Sequence, residues 1–131
     1  MISLRIRAAL YALALAFLSV PTPAQAQPVG TGTQLRLTIR ADTTGASRVV
    51  ELLCDPTRGD HPRAQEACDA IAAANGDLDQ LHGTPGVLCD DLYQPVTADA
   101  AGFWQGQRVN WQHHFANPCG LHTRTDPVFH F

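Results

Sequence analysis

The 131-residue chain contains no lysine, and beyond residue 26 it has one serine, Ser47. Arginine is therefore its main cation. Beyond residue 26 seven arginines face twelve Asp and Glu residues, and the arginines form no run. An acidic surface without basic clusters argues against nucleic acid and anionic membranes as partners. Ser47 lies beside a turn and lacks the GxSxG context of a hydrolase nucleophile. The four cysteines, Cys54, Cys68, Cys89 and Cys119, include no CxxC pair of the kind that holds structural zinc.

The chain also lacks an apolar run of the ~20 residues that a membrane span requires. Its longest run, 8–20, follows Arg5 and Arg7 and stops at Pro21-Thr22-Pro23. Ala24-Gln25-Ala26 then offers small residues at the two positions a signal peptidase reads. Residues 1–26 thus read as a secretory signal peptide and 27–131 as one exported, extracellular domain. A domain of that size has a modest core and commonly needs a supplement. An even number of cysteines in an exported chain supplies it as two disulfides. Paired cysteines leave no thiolate for catalysis, so the chain reads as a non-enzyme.

Leu35-Arg36-Leu37-Thr38-Ile39-Arg40 alternates strictly and predicts a strand; 48–54 predicts its antiparallel partner. The segment 55–62 reads as a loop. Ala64, Ala67, Cys68, Ile71 and Ala74 share one helical face, which predicts a helix over 63–74 ending at Asn75-Gly76. Residues 77–81 read as a further helical turn or structured loop. Further strands are expected over 95–101, 108–115 and 127–131, with a hairpin tip or bulge at 102–107. The cysteine-bearing stretch 116–125 reads as a loop. The fold class is α+β, one domain on an antiparallel sheet.

The segment around which the rest is organised is Gly86-Val87-Leu88-Cys89-Asp90-Asp91-Leu92-Tyr93-Gln94-Pro95. It has neither helical periodicity nor clean alternation, and Pro95 forbids a regular central strand. It reads as an exposed, extended loop fastened through Cys89, the form a protease cleft accepts. Asp90-Asp91 could instead be a catalytic pair or two solvated carboxylates. Asp77 and Asp79 lack the ligand-rich pattern of a calcium loop. Among the six histidines, His113 and His114 are neighbours on a strand and point to opposite faces. For these, and for His122 and His130, surface or packing roles are expected, with no metal and no cofactor.

These residues resemble the subtilisin inhibitor-like family of secreted serine proteinase inhibitors. The match rests on Leu53-Cys54, His61-Pro62, Ala67-Cys68-Asp69 and Gly76-Asp77-Leu78. It continues through Cys89-x-x-x-Tyr93-x-Pro95-Val96, Gly102-x-Trp104-Gln105-Gly106-x-Arg108-Val109 and Phe115-x-Asn117-x-Cys119, to Val128-Phe129-x-Phe131. The resemblance implies a five-stranded antiparallel sheet with two helices, a homodimer, and disulfides Cys54–Cys68 and Cys89–Cys119. It implies a reactive bond at Asp91–Leu92, with Leu88, Cys89, Asp90 and Tyr93 along the protease cleft and Asn117 supporting the loop. The partner would be an extracellular serine protease. Asp91 departs from the family pattern, which places an apolar or basic residue there, and Asp90 replaces a common proline. A protease preferring Glu or Asp is then a candidate target. The alternative is a non-inhibitory secreted binding module, such as a metalloprotease partner or a crosslinking substrate.

Overall fold

The computed structural model describes Ala24 and residues 31–131. The signal peptide read over 1–26 therefore lies, apart from Ala24, outside the described residues. Strands β1 (Thr33–Ala41) and β2 (Ser47–Cys54) form the expected hairpin. They are followed by β3 (Arg58–Gly59), α1 (Ala64–Ala73), β4 (Val96–Trp104), β5 (Gln107–Phe115) and α2 (Pro118–Thr125). A single 3₁₀ turn, Leu78–Gln80, occupies the stretch after α1. The sheet is antiparallel, in the order β3-β2-β1-β4-β5.

Alternation sends Leu35, Leu37 and Ile39 of β1, Val50 and Leu52 of β2, and Ala98 and Ala100 of β4 to one face. Ala67 and Ile71 of α1 and Leu121 of α2 close over that face. Small alanines let α1 sit close to the sheet. Among the described residues no helix lies on the opposite face, where Val49 and Phe103 are exposed. β4 and β5 are joined by Gln105-Gly106, whose φ angles of 46° and 81° suit a tight two-residue hairpin turn.

Three expectations need correction. Residues 127–131 are not a strand. They make two turns in which Val128 N donates to Thr125 O and His130 N to Pro127 O. Val128 and Phe129 are fully buried, and Phe129 packs 5.3 Å from the Trp111 ring, centroid to centroid. The apolar pattern there reports closure of the core rather than a sheet ladder. The fifth strand is instead β3, two residues inside the stretch read as a loop, paired with Leu52 and Leu53. Finally, 116–125 is largely helix α2. The Asn117 side chain caps its start by accepting from Gly120 N at 2.8 Å, and Pro118 opens its first turn. An N-cap Asn followed by Pro is a helix-start signal that was present in the sequence.

Candidate functional site

Between the 3₁₀ turn and β4 the chain runs through 82–95 without regular secondary structure. Its apolar side chains do not enter the core: Leu88 is 96% exposed, Tyr93 76% and Leu92 56%. Asp90 and Asp91 are exposed as well. Hydrophobic side chains left in water cost roughly 1.5–3 kcal/mol each relative to burial. A segment that leaves four of them out, Val87 at 48% exposure included, gains nothing for the fold by doing so.

The segment is nevertheless fastened at several points, and most of them come from the first turn of α2. Cys119 is bonded to Cys89 across a sequence separation of 30. Asn117, 8% exposed, lies beneath the loop. Its side-chain amide donates to the carbonyl oxygens of Asp90 at 3.3 Å and Leu92 at 3.0 Å, while its own oxygen caps the helix. The Asp90 carboxylate accepts from Leu92 N at 3.2 Å, which closes a local turn around Asp91. Asp91 itself takes part in none of these bonds.

The two stems are held separately. On the far side Gln94 N donates to Ala116 O at 2.9 Å. On the near side Thr84 N donates to Thr123 O at 3.1 Å, and the Thr84 hydroxyl donates to Asp126 at 2.9 Å. Partial burial alone would raise the Asp126 carboxyl. The Thr84 hydroxyl, His130 and Arg63 outweigh it and hold the group below the ordinary carboxylate value. Gly83 has a φ of 59°, and a Cβ there would meet Thr123 O at 2.0 Å. The stem can lie against α2 only because Gly83 has no side chain.

The structure thus brings Leu88, Cys89, Asp90, Asp91, Leu92 and Tyr93 together in one exposed segment with Asn117 behind it. The second disulfide, Cys54–Cys68, is remote from this segment and joins β2 to α1. Sequence reasoning missed the near stem, Gly83, Thr84 and Asp126. Its bonds run to the main chain and to a residue 42 positions away, for which the sequence carries no local signal.

The sequence profile described as subtilisin inhibitor-like matches residues 31–117. The chain belongs to the subtilisin inhibitor-like family. Among its relatives, protease inhibitor SIL-V2 of Streptomyces orinoci is 43% identical over 91 residues, covering 68% of this chain and 84% of that protein. A putative serine protease inhibitor of Streptomyces avermitilis is 39% identical over 118 residues, covering 88% of this chain and 80% of that one. In structure the chain is similar to Streptomyces caespitosus sermetstatin, solved in complex with Bacillus licheniformis subtilisin. The TM-score is 0.65 at 31% identity, over 76% of this chain and 99% of the other. The matched region contains β1 to β5, the exposed segment and Asn117. Family membership therefore covers the loop and its support, not only the sheet.

Proposed function

We propose that this protein inhibits serine proteases of the subtilisin class by offering residues 88–93 as a restrained substrate, with Asp91–Leu92 as the reactive bond. One observation carries the reading: the carbonyls on both sides of Asp91 are held by a single buried side chain, Asn117. A free peptide loses conformational entropy on binding, whereas a segment already held loses little. If a protease nucleophile attacked the Asp91 carbonyl carbon, the Asp91–Leu92 C–N bond would break and the Leu92 amine would leave. Asn117 would still grip Asp90 on one side of the cut and Leu92 on the other. Religation would then compete with release. Family membership and the subtilisin complex of sermetstatin support the same reading.

Asp91 directs the specificity. An apolar pocket must desolvate an unpaired carboxylate, at a cost of several kcal/mol. An acidic pocket repels it. A protease that prefers Glu or Asp is the target that suits it. The full reading is a protein exported through the leader at 1–26, acting outside the cell as a homodimer. The non-inhibitory module weighed above has no feature of this structure in its favour.

The test is a set of inhibition constants for untagged mature protein against subtilisin, trypsin and a Glu/Asp-preferring serine protease, with peptide mapping of slowly hydrolysed inhibitor. The expected result is strongest inhibition of the acid-preferring enzyme and a cut between Asp91 and Leu92. Failure to inhibit any of the three, with no cut at that bond, would overturn the proposal.

A further inference from the structure

The far end of α2 gathers three groups, of which Asp126 alone is bonded to the near stem of the exposed segment. His122 lies within the helix, Asp126 follows its last residue, and His130 lies in the turn beyond. Each offers one donor atom, and the three atoms lie within 4.8 Å of one another. The rings of His122 and His130 are 4.6 Å apart, and His130 Nδ1 is 2.6 Å from an Asp126 oxygen. His122 Nδ1 is buried and has no hydrogen-bond partner among the described residues. A buried ring nitrogen without a partner is uncommon in folded proteins and calls for an explanation. Asp126 also accepts from Arg63 at 3.2 Å and from Thr84 at 2.9 Å, so its carboxylate is positioned before anything binds.

We propose that His122, Asp126 and His130 form a binding site for a divalent transition metal of the zinc class. Two imidazoles and one carboxylate make a donor set suited to zinc, copper or nickel rather than to calcium or magnesium, which take mainly oxygen. Three protein donors leave a fourth position of a tetrahedral ion open to water or to another ligand. With bonds of about 2.0–2.1 Å, the donors of such an ion lie about 3.3 Å apart. The exposed His130 side chain can turn to close that gap. The bound ion would replace the hydrogen bond between His130 and Asp126, and because imidazole ligates only through an unprotonated nitrogen, protons compete with the ion for the site. Burial and the adjacent His130 hold His122 below the ordinary histidine value against the pull of Asp126.

The site lies behind the inhibitory segment. Thr84 and Val87 of the near stem and Cys119 of the disulfide line the same cavity of about 330 Å³ as the three donors. An ion there fixes Asp126, to which the Thr84 hydroxyl is bonded, and so adds a restraint to the near stem. The other histidines are placed differently. His113 lies between Trp111 and Phe115 on the inner face, and His114 meets Thr97 on the outer face. No sequence pattern groups the three ligands, because their spacing of four continues past the end of the helix.

The test is titration of untagged mature protein with zinc chloride by calorimetry, together with the visible spectrum after cobalt(II) substitution. The expected result is saturation at one ion per chain, with proton release and weaker binding at about pH 5.5 than at about pH 7.5. H122Q and H130Q should each weaken binding at least about tenfold. Because His130 is exposed, H130Q should stay folded even if H122Q does not. The H113Q/H114Q double variant should bind like the parent. Exchange of the Thr84 amide should slow when zinc is bound. Three results would each overturn the proposal: no saturable binding, binding that survives H130Q unchanged, or zinc occupancy that leaves Thr84 exchange as it was.

Discussion

Asn117 donates its side-chain amide to the carbonyl of Leu92 at 3.0 Å while its oxygen holds the first turn of α2. One residue therefore begins a helix and supports the exposed segment. The two duties can be separated by substitution. Asn117→Ala removes both and should cost about 1–2 kcal/mol of stability through the lost cap. Asn117→Asp keeps an oxygen for the cap but has no N–H to donate to the loop. It should retain most of the melting temperature yet be hydrolysed at Asp91–Leu92 at least about tenfold faster than the parent, a difference near 1.4 kcal/mol. Equal hydrolysis rates for Asn117→Asp and the parent would remove Asn117 from the loop's support.

The disulfides should differ in their response to reductant. Cys54 and Cys68 are 5% and 6% exposed, whereas Cys89 and Cys119 are only half-buried. Mild reduction should open Cys89–Cys119 first and abolish inhibition before the circular dichroism of the sheet changes. Thiol labelling with mass spectrometry, taken alongside inhibition, checks the order of events.

Asp91 should set the choice of target. Replacing it with Met or Leu should strengthen subtilisin inhibition by at least ~1.4 kcal/mol, about tenfold, and weaken inhibition of an acid-preferring protease. Asp91→Lys should move activity towards trypsin. Inhibition constants unaffected by any of these changes would place the reactive bond elsewhere.

Stability should fall as the solution is made mildly acidic. His61 is 5% exposed; one ring nitrogen faces Val128 O at 2.9 Å and the other accepts from Arg63 N at 3.0 Å. Burial holds this ring below the ordinary histidine value, although the bond to Val128 pulls the other way. The unfolded chain therefore takes up the proton first, and stability is lost as pH falls below about 6.5 towards the folded-state value. His122 is shifted in the same direction. Urea midpoints in metal-free buffer should be lower at about pH 5.5 than at about pH 7.5, and His61→Gln should reduce the difference.

The uncovered sheet face should pair with a second copy. Val49 is 38% exposed and Phe103 37%, and Leu53 and Phe103 flank Gln34 in neighbouring strands on that side. Light scattering at micromolar concentration should report a dimer. Val49→Asp combined with Phe103→Asp should weaken it at least about tenfold. A parent protein that is already monomeric would contradict the expectation.

Much of the sheet and the first helix was legible because burial there imposes a period: two in Leu35, Leu37 and Ile39, and helical in Ala67, Cys68 and Ile71. The period fails where elements are short or irregular. Helix α2 has eight residues, with Pro118 and Gly120 among them and two buried positions, too few to show a face. The chain end misled for the opposite reason, since Val128 and Phe129 are as apolar as a strand while lying in turns. For the exposed segment, the lack of any period was itself informative. Asn117's place behind it came only from the family resemblance, because the bonds it makes are to main-chain carbonyls, which look alike in every sequence.

The segment around Asp91 is fastened by main chain, a disulfide, Asn117, the Asp90 carboxylate and the Thr84–Asp126 bond; the side chains of Leu88 and Asp91 take no part in the fastening. The grip is thus indifferent to what positions 88 and 91 display. On the proposed reading, a substitution at residue 91 would change which protease the segment suits without asking the fold to adjust. A scaffold fastened in this way would let its tip vary while its interior stays still.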